Sequence, residues 1–80
     1  MEGQYGAHLE VPYLRAWRLY RGWSQMGLGV RAGVHYVTIS LVESGAKQVR
    51  RNTVEKLARG LGISVEMLLH MDPNAEETLL

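Results

Sequence analysis

Apolar residues recur every three or four positions in five short segments of this 80-residue chain, with polar residues between them. This period is that of an amphipathic helix, and no segment keeps the alternation that marks a strand. A chain of this length forms a single domain. The pattern predicts an all-α fold, a compact bundle of about five short helices. The predicted helices run over 13–21, 25–32, 36–44, 53–61 and 65–70, the third beginning at 35 or 36.

Serine, asparagine and glycine residues mark the predicted helix ends. Ser24, Asn52 and Ser64 each stand just before a periodic segment, where their side chains can accept a hydrogen bond from an N–H group of the first turn. Gly22 and Gly62 stand just after a segment, and glycine adopts the left-handed conformation of a helix end without steric cost. These residues predict where three helices begin and two end.

The two ends of the chain lack helical periodicity. Residues 1–12 contain two glycines and a proline, and we predict a flexible arm there. Residues 72–80 contain a proline and three acidic residues, and we predict an acidic tail. The domain is predicted to comprise residues 13–71. The arm has neither the basic start nor the apolar run of a secretory signal.

The basic residues are confined to the middle of the chain. The net charge is only +1, yet all nine Lys and Arg residues lie between residues 11 and 71 with three acidic residues, so this part carries +6. The other five acidic residues lie in the two ends. A basic body suits contacts with phosphate groups. An ordinary solvated surface explains the same charges, so charge alone leaves both interpretations open.

Several kinds of site are excluded by the residue types present. The chain has no cysteine, which excludes disulfides and thiolate metal sites and favours a reducing, cytoplasmic location. His8, His35 and His70 are too far apart in sequence to indicate a metal site. No nucleophile stands with a base and an orienting group, so we expect neither catalysis nor a cofactor. No run approaches the roughly 20 apolar residues that span a bilayer.

Two of the predicted helices, 25–32 and 36–44, are joined by a short turn at Gly33. Gly29 lies where the first helix must approach the second closely, so a residue as small as glycine or alanine is required there. The corner between the helices would be closed by apolar side chains, those of Leu28, Val34, Ile39 and Val42. This is the helix-turn-helix arrangement, in which the second helix enters the major groove of DNA.

In its ordered set of motifs the chain resembles the Cro and phage-repressor-like (Xre-type) family of helix-turn-helix domains. The resemblance implies the lambda-repressor-like fold and a transcriptional regulator that binds double-stranded DNA sequence-specifically. It runs from Leu14 to Leu69 and rests on Leu14-Arg15, Arg18, Ser24-Gln25, Ala32-Gly33-Val34, Thr38-Ile39-Ser40, Glu43-x-Gly45, Thr53-x-x-Lys56-Leu57-Ala58-x-x-Leu61-Gly62-Ile63-Ser64 and Leu68-Leu69.

The resemblance implies that the exposed face of the third helix reads the bases. Val37 and Leu41 on that face offer only methyl groups, so the C5-methyl group of thymine is their expected partner. His35 and Tyr36 can hydrogen-bond a base edge or a phosphate. Thr38 lies on the same face, and we expect it to bind a phosphate.

Other positions are expected to hold the DNA backbone. Gln25 is the first residue of the second helix. The resemblance implies that its amide contacts a phosphate or flanks a base. Ser40 can also bond a phosphate. Lys47, Arg50 and Arg51 follow the third helix, where such domains bind the backbone.

The resemblance draws attention to two further features, one that agrees with the family and one that departs from it. Arg18 and Glu43 occupy positions that often form a partly buried ion pair between the first and third helices, so a structural role is expected; two unrelated surface charges are the alternative. Met26, Gly27 and Val30 replace the polar or charged residues that are usual on the outer face of the second helix.

The resemblance implies a homodimer on a pseudo-palindromic operator, with half-sites about one helical turn apart. Leu68, Leu69 and Met71 are predicted to form the dimer patch. Within the 80 residues no segment is left for an effector domain, so we expect regulation through protein concentration, partner binding or degradation.

The class of regulator stays open, as does one alternative from a different class. A phage repressor, a restriction-modification controller and an antitoxin that binds a toxin all fit the sequence. The alternative is a protein-interaction module that keeps the fold and does not bind DNA, which the apolar character of Met26, Val30, Val37 and Leu41 would favour.

Overall fold

Five α-helices account for most of residues 8–75, the part of the chain that the computed structural model describes. They are α1 Leu14–Arg21, α2 Gln25–Ala32, α3 Tyr36–Glu43, α4 Arg51–Leu61 and α5 Val65–His70. Helix α2 packs on α4 and α3, and α1 lies against α3, α4 and α5. The all-α fold class is therefore confirmed. In this part of the chain no helix is both long and apolar enough to cross a membrane.

The core is built from the apolar face of each helix. On α4 this face comprises Val54, Leu57, Ala58 and Leu61, all of them buried and spaced as one side of a helix requires. The other helices each add one fully buried aliphatic side chain, those of Leu14, Leu28, Ile39 and Leu68. Full burial of such a side chain contributes about 1.5–3 kcal/mol.

Leu68 was predicted to lie in a dimer patch, and for this residue the prediction is wrong. Helix α5 is only six residues long, and Leu68 is the side chain that anchors it in the core. Leu69 is partly buried against the core, and Met71 is half exposed. Only Met71 of the three therefore presents a large apolar surface to solvent.

Two of the three predicted serine and asparagine caps are confirmed. The Oγ of Ser24 accepts the N–H of Gly27 at 2.9 Å, and the Oγ of Ser64 accepts the N–H of Met67 at 3.1 Å. The prediction for Asn52 is wrong, because α4 begins two residues earlier than predicted and its cap position is Arg50, whose side chain makes no capping bond.

A backbone pairing across the molecule accounts for this earlier start. Leu9 and Val49 form an isolated antiparallel bridge, with N···O distances of 2.7 and 3.0 Å in the two directions. The bridge fixes the extended backbone that leads into Arg50, so α4 starts where the bridge ends. A single bridged pair has no periodicity, and the sequence pattern gave no sign of it.

The same bridge draws the start of the chain into the domain. Val11 is buried in the core, and Leu9 packs against it. The packed structure thus includes residues that the sequence assigned to a flexible arm ending at residue 12. Residues 1–7 of that arm, and residues 76–80 of the predicted tail, lie outside the described part of the chain.

The turn between α2 and α3 depends on two glycines. Gly33 ends α2 with φ +70°, and its N–H and that of Val34 both bond the carbonyl of Gly29, at 2.8 and 3.1 Å. A Cβ on Gly29 would lie 2.6 Å from the carbonyl oxygen of Val34. The sequence permitted glycine or alanine at position 29, but the structure leaves no room for an alanine without a backbone shift.

Gly60 is a close contact that the sequence did not indicate. A Cβ at this position on α4 would lie 2.8 Å from both the Cα and the Cβ of Ala32 at the end of α2. The two helices therefore touch through their backbones at Gly60 and Ala32. This contact fixes α2, and with it the turn that carries α3.

Candidate nucleic-acid interface

Helix α3 buries one side and presents the other to solvent. Ile39 and Val42 point into the core. On the outer side Tyr36, Val37 and Leu41 are 43%, 45% and 39% exposed, and they lie together on one helix face. The face predicted to read bases is thus free to meet a partner.

His35 has a structural role that the sequence did not reveal. It is the cap of α3, and its Nδ1 accepts the N–H of Val37 at 3.1 Å. Its ring stacks on that of Tyr36, with centroids 5.0 Å apart and planes inclined by 21°. Because Nδ1 is an acceptor here, the neutral ring carries its proton on Nε2, which leaves one donor for a base edge or a phosphate.

The residues predicted to hold phosphates fall into two groups. Thr38, Lys47 and Arg50 line one groove between the start of α3 and the start of α4. Ser40 is partly buried on α3, and Arg51 is exposed on α4; neither lines that groove. The groove brings one hydroxyl and two cations to the same place.

The groove also contains polar residues that the sequence analysis had not assigned to DNA. Gln48 lies between the two cations, and Thr53 and Lys56 lie on the first turns of α4. The available signal was the helical spacing, because Lys56 follows Thr53 by three residues and therefore shares its side of the helix. With Lys47, Arg50 and Lys56 the groove carries three positive charges.

Arg51 stands at the edge of this basic region. Its Nε lies 3.4 Å from Oε2 of Glu55 one turn later, and both side chains are largely exposed. Such a pair contributes about 0.3–0.5 kcal/mol at most. The guanidinium therefore remains available to a stronger partner such as a phosphate.

Arg18 and Glu43 join α1 to the end of α3. Arg18 donates from Nε to Oε2 at 2.7 Å and from Nη2 to Oε1 at 2.9 Å, and its Nη1 donates to the carbonyl of Trp23 at 2.8 Å. The two side chains are 9% and 5% exposed. The hydrogen bonds and charge of Glu43 raise the pKa of Arg18 above its ordinary value, against the opposing effect of burial.

Gln25 completes this network. Its Nε2 donates to Oε1 of Glu43 at 3.0 Å, so the first residue of α2 is tied to the last residue of α3. The sequence assigned the Gln25 amide to DNA, but the structure uses its N–H group within the protein. The amide oxygen is the part of Gln25 with no bond to Glu43.

The outer surface of the helix-turn-helix is apolar. Met26 and Val30 on α2 line a shallow groove that continues to His35 and Tyr36 at the start of α3. Val30 is 83% exposed. Beside it Arg31 lies over the ring of Trp23, 4.1 Å from the ring centroid, and bonds the carbonyl of Gly27.

No group of three or more His, Asp or Glu side chains within residues 8–75 is arranged to hold a metal ion. The α3 surface and the groove beside it offer exposed methyl groups, a few hydroxyls and several cations, which are groups suited to binding. An apolar surface with cations beside it suits a polyanionic ligand that also exposes apolar groups.

Comparison with known proteins identifies this arrangement. The family described as a helix-turn-helix domain matches residues 12–71. Uncharacterized HTH-type transcriptional regulators of Mycobacterium bovis and Mycobacterium tuberculosis are 36% identical to the chain over 67 residues, covering 79% of it and 26% of each relative. The chain thus spans about a quarter of the length of these curated relatives.

A solved structure resembles the fold as well. The crystal structure of NHTF, a hypothetical transcription factor from Neisseria, matches with a TM-score of 0.70 and 29% sequence identity. The match covers 85% of this chain and 77% of that one. The resemblance drawn from the sequence motifs is confirmed: the chain belongs to the helix-turn-helix domain family.

Proposed function

We propose that this chain binds double-stranded DNA sequence-specifically and so regulates transcription, with α3 in the major groove. The observation that carries the proposal is the placement of α3. Its outer face is exposed over Tyr36, Val37 and Leu41, and the groove that holds Lys47 and Arg50 opens beside its first turn. A helix that reads bases needs this combination of a free face and neighbouring cations.

The basic groove and the start of α4 together suit the DNA backbone. The cap residue Arg50 supplies no side-chain acceptor, so the first N–H groups of α4 lack the usual side-chain partner. The partial positive charge of a helix N-terminus adds to the charges of Lys47, Arg50 and Lys56. One or two phosphates on the strand beside α3 would therefore bind here.

The α1–α3 network supports the same assignment in another way. Part-buried side-chain bonds connect Arg18 within α1 to Glu43 at the end of α3, and Glu43 to Gln25 at the start of α2. A reading helix must be held rigidly, because a displacement of about an ångström misplaces its contacts. The network fixes α3 in relation to α2 before any DNA is bound.

We propose a homodimer on a pseudo-palindromic operator, in the cytoplasm where such DNA lies. A single domain of this size covers only about 600–1,000 Å² of DNA, which favours the use of two copies. Of the predicted dimer residues Met71 retains support, since it is half exposed and lines a groove with Trp17 and Tyr20.

Selection of binding sites from a randomised duplex pool tests the proposal. The purified protein is mixed with the pool at moderate salt, and the bound DNA is sequenced over several rounds. Enrichment of a two-fold symmetric motif is the expected result. A folded protein that enriches no motif would contradict sequence-specific binding.

The protein-interaction module remains a second candidate because of one observation. Met26 and Val30 add two exposed apolar side chains to the outside of the helix-turn-helix. Salt distinguishes the two functions, since the affinity of a DNA binder falls steeply with salt while an apolar protein contact changes little. Co-purification separates the regulator classes: an antitoxin is recovered with its toxin, whereas a controller or repressor is recovered as a dimer alone.

A further inference from the structure

We propose that the outer surface of α2 and α3 selects DNA by the C5-methyl groups of pyrimidines, those of thymine and of 5-methylcytosine alike. The reading surface meant here comprises Met26, Val30, Tyr36, Val37 and Leu41. The inference rests on the proposed function and specifies the ligand chemistry of the same site. Its consequence is a protein whose affinity for an operator responds to cytosine methylation.

Helix α3 lacks the side chains that usually recognise purines. Arginine and lysine recognise guanine through O6 and N7, and asparagine and glutamine recognise adenine through N6 and N7. The helix Tyr36–Glu43 contains none of these four residue types. Its one acidic residue, Glu43, is bonded to Arg18 and Gln25 and is therefore not free to accept from cytosine N4.

Three of the other polar side chains near the surface already make hydrogen bonds within the protein. His35 uses Nδ1 to cap α3, and the Oγ of Ser44 donates to the carbonyl of Leu41 at 3.0 Å. Gln25 donates its amide to Glu43. The Tyr36 hydroxyl, His35 Nε2 and the amide oxygen of Gln25 then remain for hydrogen bonds to base edges. The hydroxyls of Thr38 and Ser40 are those that we expect to bind phosphates.

The apolar surface extends over both helices and has cations beside it. Val37 and Leu41 are one turn apart and lie on the same side of α3, and Met26 and Val30 continue the surface along the groove to Tyr36. Lys47 and Arg50 line the neighbouring groove with Thr38 of α3. The cations are suited to bind phosphates of the DNA backbone. With the cations on the backbone, the apolar surface would face the floor of the major groove.

The only apolar groups on that floor are the C5-methyl groups of thymine and, where cytosine is methylated, of 5-methylcytosine. Both methyl groups stand at the same position of the pyrimidine ring. Valine and leucine side chains therefore cannot distinguish them by packing alone. Discrimination between the two bases is left to the exocyclic group at C4, which the hydroxyl of Tyr36 can contact.

Base analogues that differ only by this methyl group test the inference with the 80-residue chain. The parent duplex is the sequence enriched from the randomised pool. Each thymine is replaced in turn by uracil, which removes the methyl group and keeps the pairing and O4. We expect a loss of about four-fold in affinity at each contacted position, equivalent to the roughly 0.8 kcal/mol of one buried methylene group.

Cytosine provides the second set of duplexes. At each sensitive position the T·A pair is replaced by C·G, with and without a methyl group on cytosine C5. Methylation is expected to raise affinity about four-fold over unmodified cytosine at the same position. This comparison separates a response to 5-methylcytosine from a response to thymine alone.

Leu41→Ala links the effect to the reading surface. If Leu41 contacts a given methyl group, the change to uracil at that position costs nothing further in the variant, as a double-mutant cycle requires. Val37→Ala is tested in the same way. The control is Leu19→Ala on α1, an aliphatic side chain that is more exposed than Leu41, and it should leave every uracil effect unchanged.

The outcomes separate this inference from the proposed function. Sequence-specific binding with no uracil effect above about 1.5-fold, a change of less than 0.3 kcal/mol, would overturn the methyl inference and leave the DNA-binding regulator intact. Methyl effects that persist in both Leu41→Ala and Val37→Ala would overturn the assignment to this surface. Binding without any sequence preference would overturn the proposed function and the inference with it.

Discussion

Arg18 and Glu43 meet in two parallel hydrogen bonds, 2.7 and 2.9 Å long, at a place where both side chains are buried. The pair joins the first helix to the last residue of α3. Because Gln25 bonds the same carboxylate, the pair also reaches the start of α2. The position of the helix-turn-helix therefore depends on one buried carboxylate.

Removal of one member of this pair should be far more damaging than removal of both. Arg18→Met and Glu43→Leu each leave one buried charge without its partner, and each should lower the free energy of unfolding by about 3–5 kcal/mol. The double variant should lose clearly less than either single variant. Urea unfolding measures all three, and additive losses would contradict a coupled pair.

The exposed pair of Arg51 and Glu55 is the matched control. Arg51→Ala should change stability by less than about 0.5 kcal/mol because both groups are solvated.

Since the pKa of Arg18 is raised, its charge and its contribution to stability should persist throughout the neutral pH range. A decline of stability on the alkaline side of neutrality that vanished in Arg18→Met would argue against this.

Alanine should have different effects at Ser24, which caps a helix, and at Asn52, which does not. Ser24→Ala removes an observed capping bond to Gly27 and should cost about 1 kcal/mol. Asn52→Ala should change stability by less than about 0.5 kcal/mol, because Asn52 lies inside α4 and its side chain is exposed. Thermal unfolding of the two variants decides the matter, and equal losses would restore Asn52 as a cap.

The basic groove should account for affinity without sequence preference. Arg50→Ala and Lys56→Ala each remove a cation from it, so each should weaken binding to all duplexes by a similar factor. Each should also make the slope of log K against log salt shallower by about 0.9 per subunit. Titrations between about 50 and 200 mM salt measure this slope.

Arg59→Ala is the control for the groove variants. Arg59 is an exposed cation in the last turn of the same helix and does not line the groove. Its loss should leave the salt slope unchanged. A change as large as that of Arg50→Ala would mean that net charge, rather than the groove, determines binding.

Tyr36 should affect which sequences are bound. Its side chain is half exposed at the start of α3 and stacked on His35. With α3 as the proposed reading helix, Tyr36→Ala should remove a contact to the bases while α3 remains folded. Selection from the randomised pool with the variant should enrich a different base at one position of each half-site. An unchanged motif would show that α3 is not the reading helix.

The sequence predicted those features that depend on local patterns. Helical periodicity gave the five helices, and the position of Ser24 before a periodic segment gave its cap. The small residue at Gly29 followed from the approach of two consecutive helices. In each case the residues involved lie within a few positions of one another, so their relationship is visible in the order of the chain.

Features that depend on distant residues were not predictable in this way. The bridge between Leu9 and Val49 spans 40 positions and repeats nowhere, and it moved the start of α4 away from Asn52. The contact of Gly60 with Ala32 likewise joins helices that are distant in sequence. Within the candidate interface, Lys56 belongs to the groove only because α4 packs on α2, which brings the first turns of α4 near the start of α3.

The most direct test of α3 as the DNA-reading element is an NMR titration of the ¹⁵N-labelled protein with its selected duplex. The expected result is that the largest amide shifts fall in α3 and in residues 47–56, while those around Leu19 in α1 change little. The shifts should saturate at one protein copy per half-site. Shifts centred on α1 and α5, with α3 unaffected, would contradict the assignment of α3 as the reading helix.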